Sequence, residues 1–168
     1  EPPQPAFGRR EPACYTTRHP AGGAARPRNI FPVPELAVVI PVRNEAENIA
    51  PLVSEICAAL GGRVPFEIVY VDDGSTDDTV ARIRALQAAV PELRLVRHRA
   101  SCGQSAAVRS GVKAARAPWI ATLDGDGQND PADIPGLWAM ATGTEAPPRL
   151  GLVAGRRTKR RDTLAKRW

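Results

Sequence analysis

The chain has 168 residues, 43% hydrophobic and 24% charged, a composition that points to one ordinary globular core rather than a disordered or fibrous chain. No apolar run reaches the roughly 18 to 20 residues of a membrane-spanning helix, and the N-terminus lacks the apolar stretch of a secretory signal, so neither a bilayer span nor export is expected. The net charge of +5 is concentrated at the ends, in Arg9, Arg10, Arg18, Arg26 and Arg28 and in "RRTKRRDTLAKR", while the middle is near neutral. Basic ends attract an anionic membrane surface or nucleic acid, but Tyr15 is the one aromatic residue between the N-terminal arginines and none falls within "RRTKRRDTLAKR", too few to stack successive bases, so no nucleic-acid partner is expected.

Residues 1 to 34 are rich in Pro, Gly, Ala and Arg without periodicity and read as a disordered leader, unable to bury enough apolar surface to offset the entropy of ordering. At "ELAVVIPV" the composition changes, and a continuous β-branched run reads as a strand buried on both faces. "NEAENIAPLVSEICAAL" follows, with Ile49, Leu52, Val53, Ile56 and Leu60 at helical spacing and Gly61-Gly62 as a stop. "FEIVYVDD" is a second buried strand and "STDDTVARIRALQAAV" a second helix, with Ser75 and Asp78 spaced as a capping box. "LRLVRH" is a third strand, "SAAVRSGVKAAR" a third helix, "WIATLD" a fourth strand, "PADIPGLWAMA" a short helix and "RLGLVAGRR" a fifth strand. Strands alternating with helices predict an α/β fold with a mostly parallel sheet covered on both faces. The three cysteines, Cys14, Cys57 and Cys102, are odd in number and widely spaced, so neither a disulfide framework nor a zinc site is expected and a cytoplasmic location fits. His19 and His98 are isolated and expected at the surface.

In such sheets ligands bind beyond the carboxyl ends of the strands, and the polar clusters fall there: "PVRNE", "DDGSTDD", "DGDGQND" and "GRR". Asp72 and Asp73 close a buried strand, more carboxylate than a turn needs, and a carboxylate there can accept from a nucleobase or ribose donor. Asn44 reads as a helix cap, and Glu45 and Glu47 as residues that complement the helix dipole. Asp124, Asp126 and Gln128 alternate like the opening of a calcium loop, but the EF-hand positions for Gly and Glu are Asn129 and Pro135, which excludes that reading. A carboxylate pair at a strand end suits Mg²⁺ or Mn²⁺, which bridges protein oxygens to substrate phosphates. Asn129 and Asp130 shape the turn into the next helix. Gly103 and Gly111 read as close helix-to-sheet packing without chemistry of their own.

With these motifs the sequence resembles the family 2 glycosyltransferases of GT-A fold, above all the branch acting on dolichyl and polyprenyl phosphates. The resemblance lies in "VVIPVRNEAENI", "VYVDDGSTDDT", "GQSAAVRSGVKAA", "WIATLDGDGQNDP" and "GLVAGRR", in the family's order. It implies a nucleotide-sugar-binding domain over residues 35 to 157, with Pro41, Arg43, Glu45, Val71 and Asp73 holding the nucleotide. It implies that Asp124, Gly125 and Asp126 bind the sugar nucleotide, that Asp124, Asp126 and Gln128 hold Mg²⁺ or Mn²⁺, and that Arg156 contacts the donor's phosphates. Asp126 and Arg156 are then the residues assigned to catalysis. The branch typically has D-A-D-L-Q where this chain has "DGDGQ", so Gly125 and Gly127 are expected to make the loop more flexible.

The implied reaction is an inverting transfer from a nucleotide-diphosphate sugar to a polyprenyl phosphate on the cytoplasmic face of a membrane. Residues 158 to 168 are read as a basic segment opening an absent acceptor region. A transferase acting on a saccharide hydroxyl and a catalytically silent nucleotide-sugar-binding fragment are the alternatives. A homo-oligomeric partner is one way to cover the edge of the sheet.

Overall fold

A computed structural model describes residues 33–155. Nearly all of the expected leader, the basic segment at residues 158 to 168, Arg156 and His19 lie outside the described residues.

The run at "LAVVIPV" forms β1 (Leu36–Val42), buried along its whole length. It is an inner strand of the sheet and therefore shows no polar alternation. On one side it pairs in parallel with β2 (Phe66–Asp72), from Leu36 opposite Phe66 to Val42 opposite Asp72. On the other it pairs with β4 (Trp119–Thr122), from Leu36 opposite Trp119 to Val39 opposite Thr122. The strand β3 (Leu93–Arg97) pairs with the outer side of β2, giving an all-parallel sheet of order β3-β2-β1-β4.

Both faces are covered, as parallel sheets require. Leu36, Val38, Ile40 and Val42 pack into the larger core with α1 (Ile49–Leu60), whose buried residues include Ile49, Leu52, Val53, Ile56 and Leu60, the five apolar positions expected from spacing. The helix α2 (Thr79–Leu86) is shorter than its sequence pattern. Its fully buried residues are Thr79 and Ile83, while Val90 packs on the core from beyond the helix end. After a short 3-10 turn (Pro131–Asp133), α4 (Ile134–Thr142) closes this layer. There Trp138 meets Trp119 edge to face, with centroids 6.2 Å apart at 87°.

The opposite face carries α3 (Gln104–Ala114), whose Ala107 packs with Val39, Val69 and Val71. Gly111 is buried on this face, where a Cβ would run into the Val39 side chain and lie 3.0 Å from Val71 Cγ2. The glycine's helical cost is therefore offset by close approach of helix to sheet. Gly111→Val is expected to destabilise the fold by about 2 kcal/mol through overpacking, readable as a lower urea midpoint with an unchanged slope.

The expected fifth strand does not form in its described part. Residues 149–155 are irregular and Leu152 is 79% exposed. With Gly151 and Gly155 in the run and no strand beside it among the described residues, the chain there lacks the ladder that would stabilise an extended conformation.

Candidate functional site

The chain passes from β1 to β2 through α1 on one face and from β3 to β4 through α3 on the other. The carboxyl ends of β1 and β4 therefore lie where the helices diverge, the topological switch point at which open α/β sheets bind ligands. A cavity of about 290 Å³ opens there. Pro41, Val108 and Leu123 supply its apolar lining, and Gln104, Thr122, Asp124 and Asn129 its polar groups.

The loop after β1 is joined to the loop after β2. Asn44 adopts a left-handed conformation, φ 58°, which asparagine tolerates better than other residues bearing a Cβ. Its N–H donates to Ser75 Oγ at 2.9 Å, and its Oδ1 accepts from the Thr76 N–H at 2.8 Å. The Glu45 N–H donates to Thr79 Oγ1 at 2.9 Å and the Ala46 N–H to Asp77 Oδ2 at 3.3 Å. Asn44 is thus a link between loops, and α1 begins five residues later without a side-chain cap. Nor do Ser75 and Asp78 form a capping box: Asp77 accepts from the Thr79 N–H at 3.0 Å instead. Arg43 is exposed on this loop, and half-buried Glu45 accepts from Asn48 Nδ2 at 2.6 Å.

The two carboxylates closing β2 are taken up within the protein. Asp72, fully buried, accepts from the Ser75 N–H at 3.0 Å and from Arg97 Nε at 3.3 Å. Asp73, 5% exposed, takes two bonds at each oxygen. Oδ1 accepts from the Cys102 N–H at 2.8 Å and pairs with His98 Nδ1 at 2.6 Å. Oδ2 accepts from Ser101 Oγ at 2.8 Å and the Gly103 N–H at 2.9 Å. Burial alone would raise the Asp73 pKa, but these four bonds outweigh it and hold it at about 2.

His98, expected at the surface, is 4% exposed. Its Nε2 lies 2.9 Å from Ser110 Oγ, so the ring bridges Asp73 and α3, and the desolvation of imidazole is offset by a partner at each nitrogen. Asp73, His98 and Cys102 bring ligand-type atoms within 4.8 Å of one another. Asp73 is saturated by its four bonds, so the cluster reads as structural. Val71 is also fully buried, its side chain under α3.

The segment after β4 faces the crevice. Asp124 is exposed and accepts from Gln104 Nε2 at 2.7 Å, with Asn129 Nδ2 at 3.5 Å. Asp126 and Gln128 are exposed, and the Gln128 N–H donates to Asp126 Oδ1 at 3.1 Å. Asp130 accepts from the Ala132 N–H at 2.9 Å and starts the 3-10 turn, as expected.

Gly125 is not a source of slack. It is buried between the carboxylates, and a Cβ there would meet the Val42 side chain and lie 3.1 Å from the Pro41 oxygen. Gly127 holds a defined left-handed turn, φ 72°. The structure thus brings Pro41, Asp124 and Gly125 together at the crevice and keeps Asp126 and Gln128 on the same loop.

The model of the family described as "Glycosyl transferase family 2" matches residues 37–165. The chain is 39% identical over 132 residues to dodecaprenyl-phosphate galacturonate synthase of Rhizobium johnstonii, covering 77% of this chain and 38% of the relative. It is 34% identical over 143 residues to undecaprenyl-phosphate 4-deoxy-4-formamido-L-arabinose transferase of Pseudomonas savastanoi, covering 82% and 40%. The chain thus spans about two fifths of the length of these curated relatives. Among solved structures, it superposes on a mannosyltransferase of Pyrobaculum calidifontis in complex with GDP-Man and Mn²⁺ with a TM-score of 0.53 at 27% identity, covering 60% of this chain and 30% of that one. Staphylococcus aureus TarS in complex with UDP-GlcNAc gives 0.56 at 20% identity, covering 64% and 31%, a likeness of fold alone.

Proposed function

The chain belongs to glycosyl transferase family 2, and from that membership we propose that it forms the donor-binding part of an enzyme transferring a sugar, with inversion, from a nucleoside-diphosphate sugar to a polyprenyl phosphate. The acceptor class rests on the names of the two relatives. The observation that carries the donor site is the Asp124-Gly125-Asp126 segment, packed against Pro41 and Val42 at the mouth of the switch-point crevice.

Asp124 and Asp126 are exposed hard-oxygen donors, and the Gln128 carboxamide stands two residues on. Two carboxylates leave most of a coordination sphere free, which fits Mg²⁺ or Mn²⁺ held jointly by protein and phosphates. Bound by Asp124, Asp126 and Gln128, such an ion would supply positive charge to the departing diphosphate. Pro41 offers an apolar wall to the nucleotide, Arg43 an exposed cation, and Glu45 a carboxylate on the same loop. Asp73 and Val71 serve this site from behind, by fixing the walls. Arg156 is assigned to the donor's phosphates by family resemblance. A phosphate acceptor is already anionic near neutral pH, so transfer to it depends less on a general base than transfer to a sugar hydroxyl does. The basic residues from Arg156 to Arg167 fit a peripheral position on an anionic, cytoplasmic membrane face.

Calorimetry of the chain with UDP and with GDP, each with and without Mn²⁺, tests the reading. One of the two is expected to bind, about tenfold more tightly with Mn²⁺, a difference of about 1.4 kcal/mol. Binding of neither, or indifference to Mn²⁺, would contradict it.

A further inference from the structure

The segment "CGQS" at the start of α3 is left without a task by the reading above, yet Gln104 makes the shortest hydrogen bond that Asp124 receives, 2.7 Å from Nε2 to Oδ1. The bond spans twenty residues of sequence and joins the first residue of α3 to the loop after β4. Both residues line the switch-point cavity. Asp124 is otherwise an exposed carboxylate on a loop, with Asn129 Nδ2 at a marginal 3.5 Å.

What places Gln104 is itself visible. Asp73, at the end of β2, accepts from Ser101 Oγ and from the N–H groups of Cys102 and Gly103. That fixes the three residues before Gln104, with Gly103 at φ 89° turning the chain into the helix. The buried carboxylate after β2 thus acts on the exposed carboxylate after β4 by way of residues 101–104, passing over the end of the intervening β1. This also accounts for why Asp73 is saturated by protein donors and still sits at the rim.

We propose that Gln104 is a positioning residue for the donor site: its carboxamide holds Asp124 in the orientation that receives the metal-bound diphosphate, and Asp73 sets the place of Gln104. The inference rests on the donor-site reading above. A carboxylate held in place loses less side-chain freedom on binding, so the held form binds more tightly without touching the ligand through Gln104 itself.

The test is a double-mutant cycle read by calorimetry with UDP and GDP in the presence of Mn²⁺, on the wild-type chain, Gln104→Leu, Asp124→Ala and the double variant. Gln104→Leu keeps an uncharged side chain of comparable bulk and removes the donor. It is expected to weaken nucleotide binding about tenfold in the wild-type background, the scale of a lost hydrogen bond to a charged group, and to have no effect in the Asp124→Ala background. Its melting temperature is expected to match that of the wild type, since Gln104 is exposed. Equal binding by wild type and Gln104→Leu would overturn the inference and leave the donor site standing. The same loss in both backgrounds would also overturn it, by showing a general structural effect. A wild-type chain that binds neither nucleotide would overturn the donor-site reading and the inference with it.

Discussion

Asp73→Ala is expected to lower the free energy of unfolding by about 3 kcal/mol, the scale seen when one partner of a buried charged network is removed. The substitution strands four groups at once: His98 Nδ1, Ser101 Oγ and the N–H groups of Cys102 and Gly103. The same bonds predict the pH dependence. Asp73 is held at about 2, below its ordinary 3.8, so the folded state binds its proton less readily than the unfolded state. Its contribution is therefore complete above about pH 4 and is lost as pH falls through 3.8 towards 2. The shift corresponds to about 2 kcal/mol at neutral pH. Urea titrations at stepped pH should show a fall in wild-type stability across that window and a smaller one in Asp73→Asn, whose amide does not titrate.

Asp126→Ala should do the reverse, sparing the fold and removing the response to metal. The residue is exposed, and its carboxylate's recorded bond is with the Gln128 N–H on its own loop, so the melting temperature is expected to change little. Nucleotide affinity should become the same with and without Mn²⁺. Where transfer to a polyprenyl phosphate is measured, the rate should fall by about a hundredfold or more, the cost of losing one element of transition-state charge stabilisation. Asp126→Asn, which keeps one oxygen donor without its charge, is expected to fall between the two. An Asp126→Ala protein that kept the full Mn²⁺ response would move the metal to other residues.

The architecture was legible because each strand-helix pair carries its own period. β1 and β2 read as unbroken apolar runs because they lie inside the sheet, and the helical spacing in α1 matches its buried face residue by residue. The family was legible because several motifs recur in order along the chain, and the match over residues 37–165 bears this out. What the sequence withheld is who partners whom among polar groups. Asp72 and Asp73 look alike on paper as candidates for a ligand, yet both are turned inward by bonds to residues 75 and 97–103. His98 looked solitary because its partners lie twenty-five residues before it and twelve after it. Glu67 drew no notice as one charge in an apolar strand, but it is 4% exposed and takes Arg94 Nη1 at 2.6 Å and the Ala117 N–H at 3.2 Å. The packing of Gly125 is hidden in the same way, since its close approach to Val42 and Pro41 depends on β1 and β4 lying side by side.

That adjacency of β1 and β4 also dictates when the crevice can exist. During synthesis the first three strands emerge with everything they need to pair, since β1, β2 and β3 are neighbours in space in the order in which they appear in the chain. The contact of Leu36 with Trp119 must wait for the longest closure in the sheet, and such non-local pairings are the slow steps of folding. A growing chain can therefore hold three paired strands, with the loops after β1 and β2 linked, before the crevice proposed to receive the donor exists. Competence to bind would mark the completion of the fold rather than its beginning.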